Sequence, residues 1–433
     1  MSWPKSIVVV AFSCIVLCLA WRPSMAQPLA DDAEATAADE SPMESPLSWL
    51  IFPYVAGSTD DGVSFGAFVI LADESEAYDP YRYQLRVGMM ASVSEGISKS
   101  IEWPKQEHRV FFDMRSIGSA PWDLEAEFAF KRWSTLGYYG IGNATSSQRP
   151  ATVLEDDTKR YFHQRRDEVY GYAFATRPLF RGLRLKVGGL VRGVFPDPYE
   201  GSLIRLDADS GRGGAGFALH THALIQFALG LIWDGRDNQL QPSQGGFVEV
   251  CVRASPGGLT GESFLFGGLT VDARAYQYLG SKRVIFAARL LGDFILGDAP
   301  FHELTSGGAF ERYWMFGGRN GVRGIPEGRF HGRIKVMTSV ELRGQFVEFE
   351  LFEQDFQFGA VAFADAGRLW GGPGTSRQQD GDGLGLKWGA GVGLRMRYNR
   401  STLLKGDLAF SPEALDVRPS VPIGLYLGLD HAF

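Results

Sequence analysis

Residues 317–330 read GGRNGVRGIPEGRF, three arginines and five glycines in fourteen positions. A loop of this composition can cradle phosphate, turn sharply, or carry one long cationic side chain to a place that needs charge. No helical pattern follows the glycines, so a phosphate cradle would lack the helix N-terminus that completes it. An arginine taken away from water needs a carboxylate, because its guanidinium cannot deprotonate. The other candidates are thinner. His220 and His222 share a strand face, as metal ligands would, but two ligands without a nearby third read as a surface or lumen pair. Asp380-Gly381-Asp382-Gly383 has the oxygen-rich start of a calcium loop without its remainder, and reads as a hairpin tip. No Walker loop or Cys/His cluster occurs. The expectation is a protein that is not an enzyme, with no catalytic residue, no metal and no cofactor.

The elements that position the arginines follow from the rest of the 433 residues. Residues 1–26 read as a signal peptide: Lys5, an apolar run from Ile7 to Leu19 too short to span a bilayer, and Ser24-Met25-Ala26 as the cleavage site. Cys14 and Cys18 would leave with it, so Cys251 alone could not form an internal disulfide. Residues 27–48 are acidic and Ala- and Pro-containing, and read as a flexible periplasmic tail. No Lys or Arg occurs from Pro23 to Tyr81, and that acidic stretch accounts for the net charge of −7. Beyond residue 26 no apolar run is long enough for a transmembrane helix, which leaves a soluble fold or a membrane crossed by strands.

Residues 49–433 alternate apolar and polar at period two, broken by Gly, Pro, Asp and Asn clusters, the pattern of strand and turn. Leu124, Ala126, Phe128 and Phe130 oppose Glu125, Glu127 and Lys131; Val248, Val250 and Val252 oppose Glu249 and Arg253. Runs such as Val361 to Trp370 and Leu384 to Tyr398 suit the roughly nine to eleven tilted residues of a membrane-crossing strand better than a β-sandwich. Gly389, Gly391 and Gly393, opposite an apolar face, fit a crowded interior. Tyrosines and tryptophans near segment ends, among them Trp133, Tyr138, Tyr139, Tyr170 and Trp314, are expected to form interfacial girdles. At about 24 residues per strand and connection, the fold class is all-β, a transmembrane antiparallel β-barrel of about sixteen strands.

Residues 316–343, FGGRNGVRGIPEGRFHGRIKVMTSVELR, resemble the conserved loop and following strand of the BamA/TamA-type outer-membrane assembly factor family, the bacterial surface antigen barrels. The loop motif stands as Val322-Arg323-Gly324, with Ile325 where an aromatic is usual. In the same order, WDGRDNQLQPSQGGFVEV (233–250), FADAGRLW (363–370) and GAGVGLRMRY (389–398) resemble the family's other motifs. The resemblance implies that the loop folds into the barrel lumen and that Arg323 pairs with Glu341 and Asp365 on the wall. The strand pattern agrees for Glu341, which shares a face with Lys335, Ser339 and Arg343. Gly428 with a terminal Phe433 resembles the signal by which such barrels are recognised for insertion. The implied location is the bacterial outer membrane, and the implied function is assembly, insertion or translocation of proteins there. The alternative is a passive pore or structural barrel without insertase activity. The family's usual members carry periplasmic POTRA domains, and the residues between the expected cleavage site and the first strand are too few for one. The partners expected are outer-membrane lipid, protein clients and a separate periplasmic or membrane partner, with no nucleic acid.

Overall fold

The computed structural model describes residues 47–429 except 60–61, 74, 76–77, 79–80, 96–100, 118–119, 212–218, 240, 258–263, 311, 352–353, 399–401 and 418–421. The expected signal peptide, the acidic tail up to residue 46 and Phe433 lie outside the described residues. The first strand opens at Leu47, two residues inside the span read as tail.

The chain forms one antiparallel sheet in which consecutive strands pair: β1 (Leu47–Ser58), β2 (Gly62–Asp73), β3 (Tyr83–Glu95), β4 (Lys105–Met114), β5 (Asp123–Gly137), β6 (His163–Phe180), β7 (Leu183–Pro198), β8 (His222–Asp234), β9 (Gly245–Pro256), β10 (Leu265–Leu279), β11 (Ser281–Gly297), β12 (Ile334–Leu351), β13 (Gln354–Trp370), β14 (Lys387–Tyr398), β15 (Thr402–Phe410) and β16 (Ile423–Leu429). A two-residue piece, Ile101–Glu102, pairs only with the end of β3. The sequence alternation decides the faces. On β9, Val250 and Val252 are 39% and 51% exposed, whereas Cys251 and Arg253 are buried. The apolar rows face outward and the charged rows face a crowded lumen. Gly62-Val63-Ser64-Phe65-Gly66 has the Gly-x-Ser-x-Gly spacing of a hydrolase nucleophile, but it opens β2, a strand and not the strand-to-helix turn a nucleophile needs.

Connections fall into two classes. On the rim where β1 begins and β16 ends, β6 and β7 are joined by Arg181 and Gly182 alone and β10 and β11 by Gly280. The opposite rim carries the long connections 138–162, 199–221, 298–333 and 371–386. In outer-membrane barrels the short turns face the periplasm. Trp49 and Trp233 on the short-turn rim, and Trp103 and Trp388 on the other, are each about half exposed and form the two aromatic belts. The tyrosines and tryptophans named from the sequence do something else. Tyr138, Tyr139 and Trp133 are buried, Trp314 meets Trp133 edge-on at 6.3 Å, and Tyr170 bonds to Glu127. They face inward: the Tyr138 hydroxyl donates to Asp207 and that of Tyr170 to Glu127, while the two tryptophan rings pack on each other. Asp380 likewise ends a short helical turn, Arg377–Asp380, capped by Ser376 inside the 371–386 connection, so the segment is more than a hairpin tip.

The ring has one weak join. Every other neighbouring pair ladders over most of its length, but β1 and β16 register at a single pair, Ser58 with Tyr426, so the sheet is not zipped shut along this seam among the described residues.

Placing a charge on the outward face should be costly. Val252→Arg, mid-strand on β9, is expected to destabilise by about 2–4 kcal/mol, read as a lower urea midpoint in lipid vesicles. Leu154→Arg in the exposed 138–162 connection should shift it by less than about 0.5 kcal/mol.

Candidate functional site

The connection 298–333 turns back into the lumen. Met315, Phe316, Val322, Ile325 and Phe330 pack with Leu291 of β11, Met337 of β12 and Leu369 of β13. Each fully buried apolar side chain of this kind contributes about 1.5–3 kcal/mol. Ile325, where the family motif has an aromatic, is completely buried in that cluster, so an aliphatic residue fills the position. The segment also ties to distant parts of the chain: Lys105 Nζ of β4 lies 3.4 Å from Glu327, and Arg329 donates to the carbonyl of Thr145 in the 138–162 connection at 2.6 Å.

Arg323 sits at the centre of this packing and is 4% exposed. Its Nε and Nη2 donate to the two oxygens of Asp365 at 2.7 and 2.9 Å, a bidentate fork, and its backbone N–H donates to the same carboxylate at 3.1 Å. Nη1 reaches Glu341 at 2.8 Å and Asp407 at 3.2 Å. The guanidinium lies 3.4 Å from the centre of the Phe363 ring, and Ser339 hydrogen-bonds both Arg323 and Asp365. Burial alone would lower the arginine's pKa; Asp365, Glu341 and Asp407 more than offset that and raise it. These partners form a patch across five strands: Ser339 and Glu341 on β12, Phe363 and Asp365 on β13, the glycines of β14, Asp407 on β15 and Tyr426 on β16.

Two glycines make the approach possible. Gly324 has φ +93°, and a Cβ there would meet the backbone at Phe410, 2.8 Å away. Its N–H donates to the Tyr426 hydroxyl at 3.0 Å. Gly389 lies directly below Arg323, and a Cβ there would overlap the Arg323 carbonyl oxygen. A bare backbone on β14 is what lets the loop touch the wall.

The structure thus brings together Val322, Arg323, Gly324, Glu341 and Asp365, the residues singled out from the sequence. Gly428 lies on the lumen side, where a Cβ would meet the Arg319 guanidinium, 2.6 Å away. Asp407, Ser339, Phe363 and Tyr426 were missed. Asp407 carried a signal: a lone carboxylate alternating with outward Leu408 and Phe410 must face inward. Nothing local marks Phe363 or Tyr426, whose partners arrive from the far side of a loop.

A second ionic network anchors the start of the segment. Asp293 on β11 meets Arg253 at 2.9 Å and Arg312 and Lys335 at 3.3 Å, while Glu303 meets Arg312 at 3.1 Å and Arg192 at 3.3 Å. His302 stacks on His222 at 5.3 Å between ring centres, so His222 is a lumen residue packed on the segment, whereas His220 is exposed. Burial holds His302 well below its ordinary pKa, with Arg192, His222, Arg166 and Arg312 adding to the effect; burial does the same to His331, helped by Arg166, Lys335 and Arg329.

A family model described as the Omp85 superfamily domain matches residues 155–416. Among solved structures, BamA from Haemophilus ducreyi lacking POTRA domains 1–3 aligns over 89% of this chain and 70% of its own, with TM-score 0.55 and 12% identity. CdiB from Escherichia coli aligns over 92% of this chain and 64% of its own, with TM-score 0.53 and 14% identity, so the chain spans less than two thirds of CdiB. At such identities the likeness is one of fold. No curated protein sequence matches significantly.

Removing Arg323 should strand Asp365 above all, since Glu341 keeps Arg343 at 2.8 Å and Asp407 keeps Arg395. Arg323→Ala is expected to cost about 3 kcal/mol in a barrel unfolding titration, less where lumen water reaches the carboxylate. Arg323→Lys should recover part, because a point charge cannot reproduce the fork. The double variant Arg323→Ala/Asp365→Asn should be more stable than Arg323→Ala alone.

The histidines add a pH dependence. A depressed histidine pKa means the unfolded chain takes up a proton that the folded one refuses. The contribution is therefore complete above the ordinary value of 6.5 and is lost as pH falls below it. Protease protection of residues 298–333 should weaken as pH is lowered from 6.5, and His302→Gln with His331→Gln should flatten that dependence.

Proposed function

This chain belongs to the Omp85 superfamily and is an outer-membrane β-barrel, and we propose that it assists the assembly, insertion or translocation of proteins at that membrane. The seam carries the reading. All of β1 is laddered to β2, but among the described residues its other edge meets β16 at one registered pair. An unpaired strand edge presents a row of N–H and C=O groups that another strand can satisfy, and in a bilayer no water competes for them. A protein client that adds strands is the partner whose chemistry such an edge fits.

In this proposal Val322, Arg323, Gly324, Glu341 and Asp365 hold the last five strands in position next to that edge, with Asp407 completing the set. The arrangement favours an assembly role over a passive pore, because the inward segment reaches from Lys105 on β4 to Asp365 on β13 and occupies the space a pore would need. Protein clients, and a separate periplasmic or membrane partner that delivers them, belong to this proposal.

The test is to staple the seam. Cysteines at the registered pair, Ser58→Cys with Tyr426→Cys, should form a disulfide that Cys251, buried on β9, does not compete for. Oxidised protein in vesicles is expected to lose assembly of a reporter barrel, and reduction should restore it. Comparing the two redox forms of one variant controls for the missing Tyr426 hydroxyl. Equal assembly by both forms would refute a role for the seam and favour the pore or structural reading.

A further inference from the structure

A cavity of about 300 Å³ opens on the short-turn rim between the β6–β7 and β8–β9 turns, lined by Leu179, Phe180, Arg181, Arg184, Asp234 and Arg236. Its charge is unbalanced. Asp234 holds Arg184 at 3.1 Å and Arg236 through two bonds of 2.9 Å. Among the described residues no carboxylate pairs with Arg181, which is exposed. Three guanidinium groups thus face one carboxylate. The one that fixes two of them leaves a net positive cavity with its arginines already oriented.

The backbone at Arg181 makes the residue type more informative. Arg181 has φ +42° and Gly182 φ +79°, so both residues of the two-residue turn are left-handed, the geometry of a type I′ turn. Asn or Gly suits the first position, and arginine is strained there. The chain tolerates the strain at a residue that lines the cavity and is exposed.

The outer side of the cavity is apolar and faces the bilayer. Phe180 is 67% exposed and Leu179 45%, and Trp233 of the aromatic belt lies beside Gly182. A cationic pocket directly against a lipid-facing belt matches a ligand with an anionic head and an apolar body. We propose that this cavity binds the phosphodiester headgroup of an anionic phospholipid in the periplasmic leaflet, with the exposed Arg181 on the phosphate, Arg184 and Arg236, which lie on the lumen side of the rim and are held by Asp234, adding positive potential behind it, and Phe180 and Leu179 against the glycerol and upper acyl chain. The site is independent of the seam and of the Arg323 contacts.

Native mass spectrometry of the purified barrel, titrated with phosphatidylglycerol or phosphatidylcholine, tests this. The parent should retain phosphatidylglycerol in preference to phosphatidylcholine. Arg181→Asn removes the charge and suits the turn, so heat-modifiable mobility should be kept while phosphatidylglycerol binding falls about fivefold. Arg236→Gln should add to the loss, and Arg181→Lys should retain most of the binding. Equal retention of the two lipids, or unchanged phosphatidylglycerol binding in Arg181→Asn/Arg236→Gln, overturns the proposal. Binding of inorganic phosphate alone, with displacement of the lipid, would reassign the cavity to free anions. Binding of an acidic peptide that is lost in Arg181→Asn, with lipid binding unaffected, would reassign it to a protein partner.

Discussion

A buried arginine cannot become neutral, and that constraint organises the lumen. Once residues 298–333 turn inward and carry Arg323 into a place 4% exposed, the wall must supply negative charge at the point of arrival. It does so from three strands at once, with Glu341, Asp365 and Asp407. The opposite face of each strand must stay apolar for the bilayer. Strict alternation on the wall and charge complementarity in the lumen are therefore two sides of one requirement.

The same rule repeats at the other end of the inward segment. Asp293 is shared by Arg253, Arg312 and Lys335, and Glu303 by Arg192 and Arg312. Buried ion pairs of this kind contribute little net stability against an apolar replacement, because desolvation opposes the attraction. What they contribute here is register. A segment held by apolar clusters alone could slide in the lumen, whereas a fork onto Asp365 and a shared carboxylate at Asp293 admit one placement.

The anchoring is uneven around the ring. The Arg323 contacts gather on β12 to β16, so the strands leading up to the seam are braced by the loop while the seam itself is held, among the described residues, by one registered pair. A braced wall ending in a poorly zipped edge concentrates any opening at one place. The two rims differ as well: the long connections cap one end with an apolar cluster that includes Tyr138, Leu224, Phe264 and Phe301, while the other end carries shorter connections, the tightest of them at Arg181-Gly182 and Gly280.

The sequence by itself determined the barrel. Period-two alternation assigns each residue of a strand to lipid or lumen, and that assignment survives folding because a one-residue slip would expose every charge to the bilayer. It also determined that Arg323 would need carboxylates and that Glu341 faced the right way. The tertiary structure alone decided which further groups arrive. Asp407 lies 84 residues from Arg323 and Tyr426 102 from Gly324, and they meet only because the sheet curls until β15 and β16 stand across from the returning loop. The misread aromatics have the same cause: a tyrosine near a strand end can serve a lipid belt or a lumen network, and only the position of the inward segment selects between them. Alternation is a local property of one strand, whereas a contact across the lumen depends on the path of the whole ring.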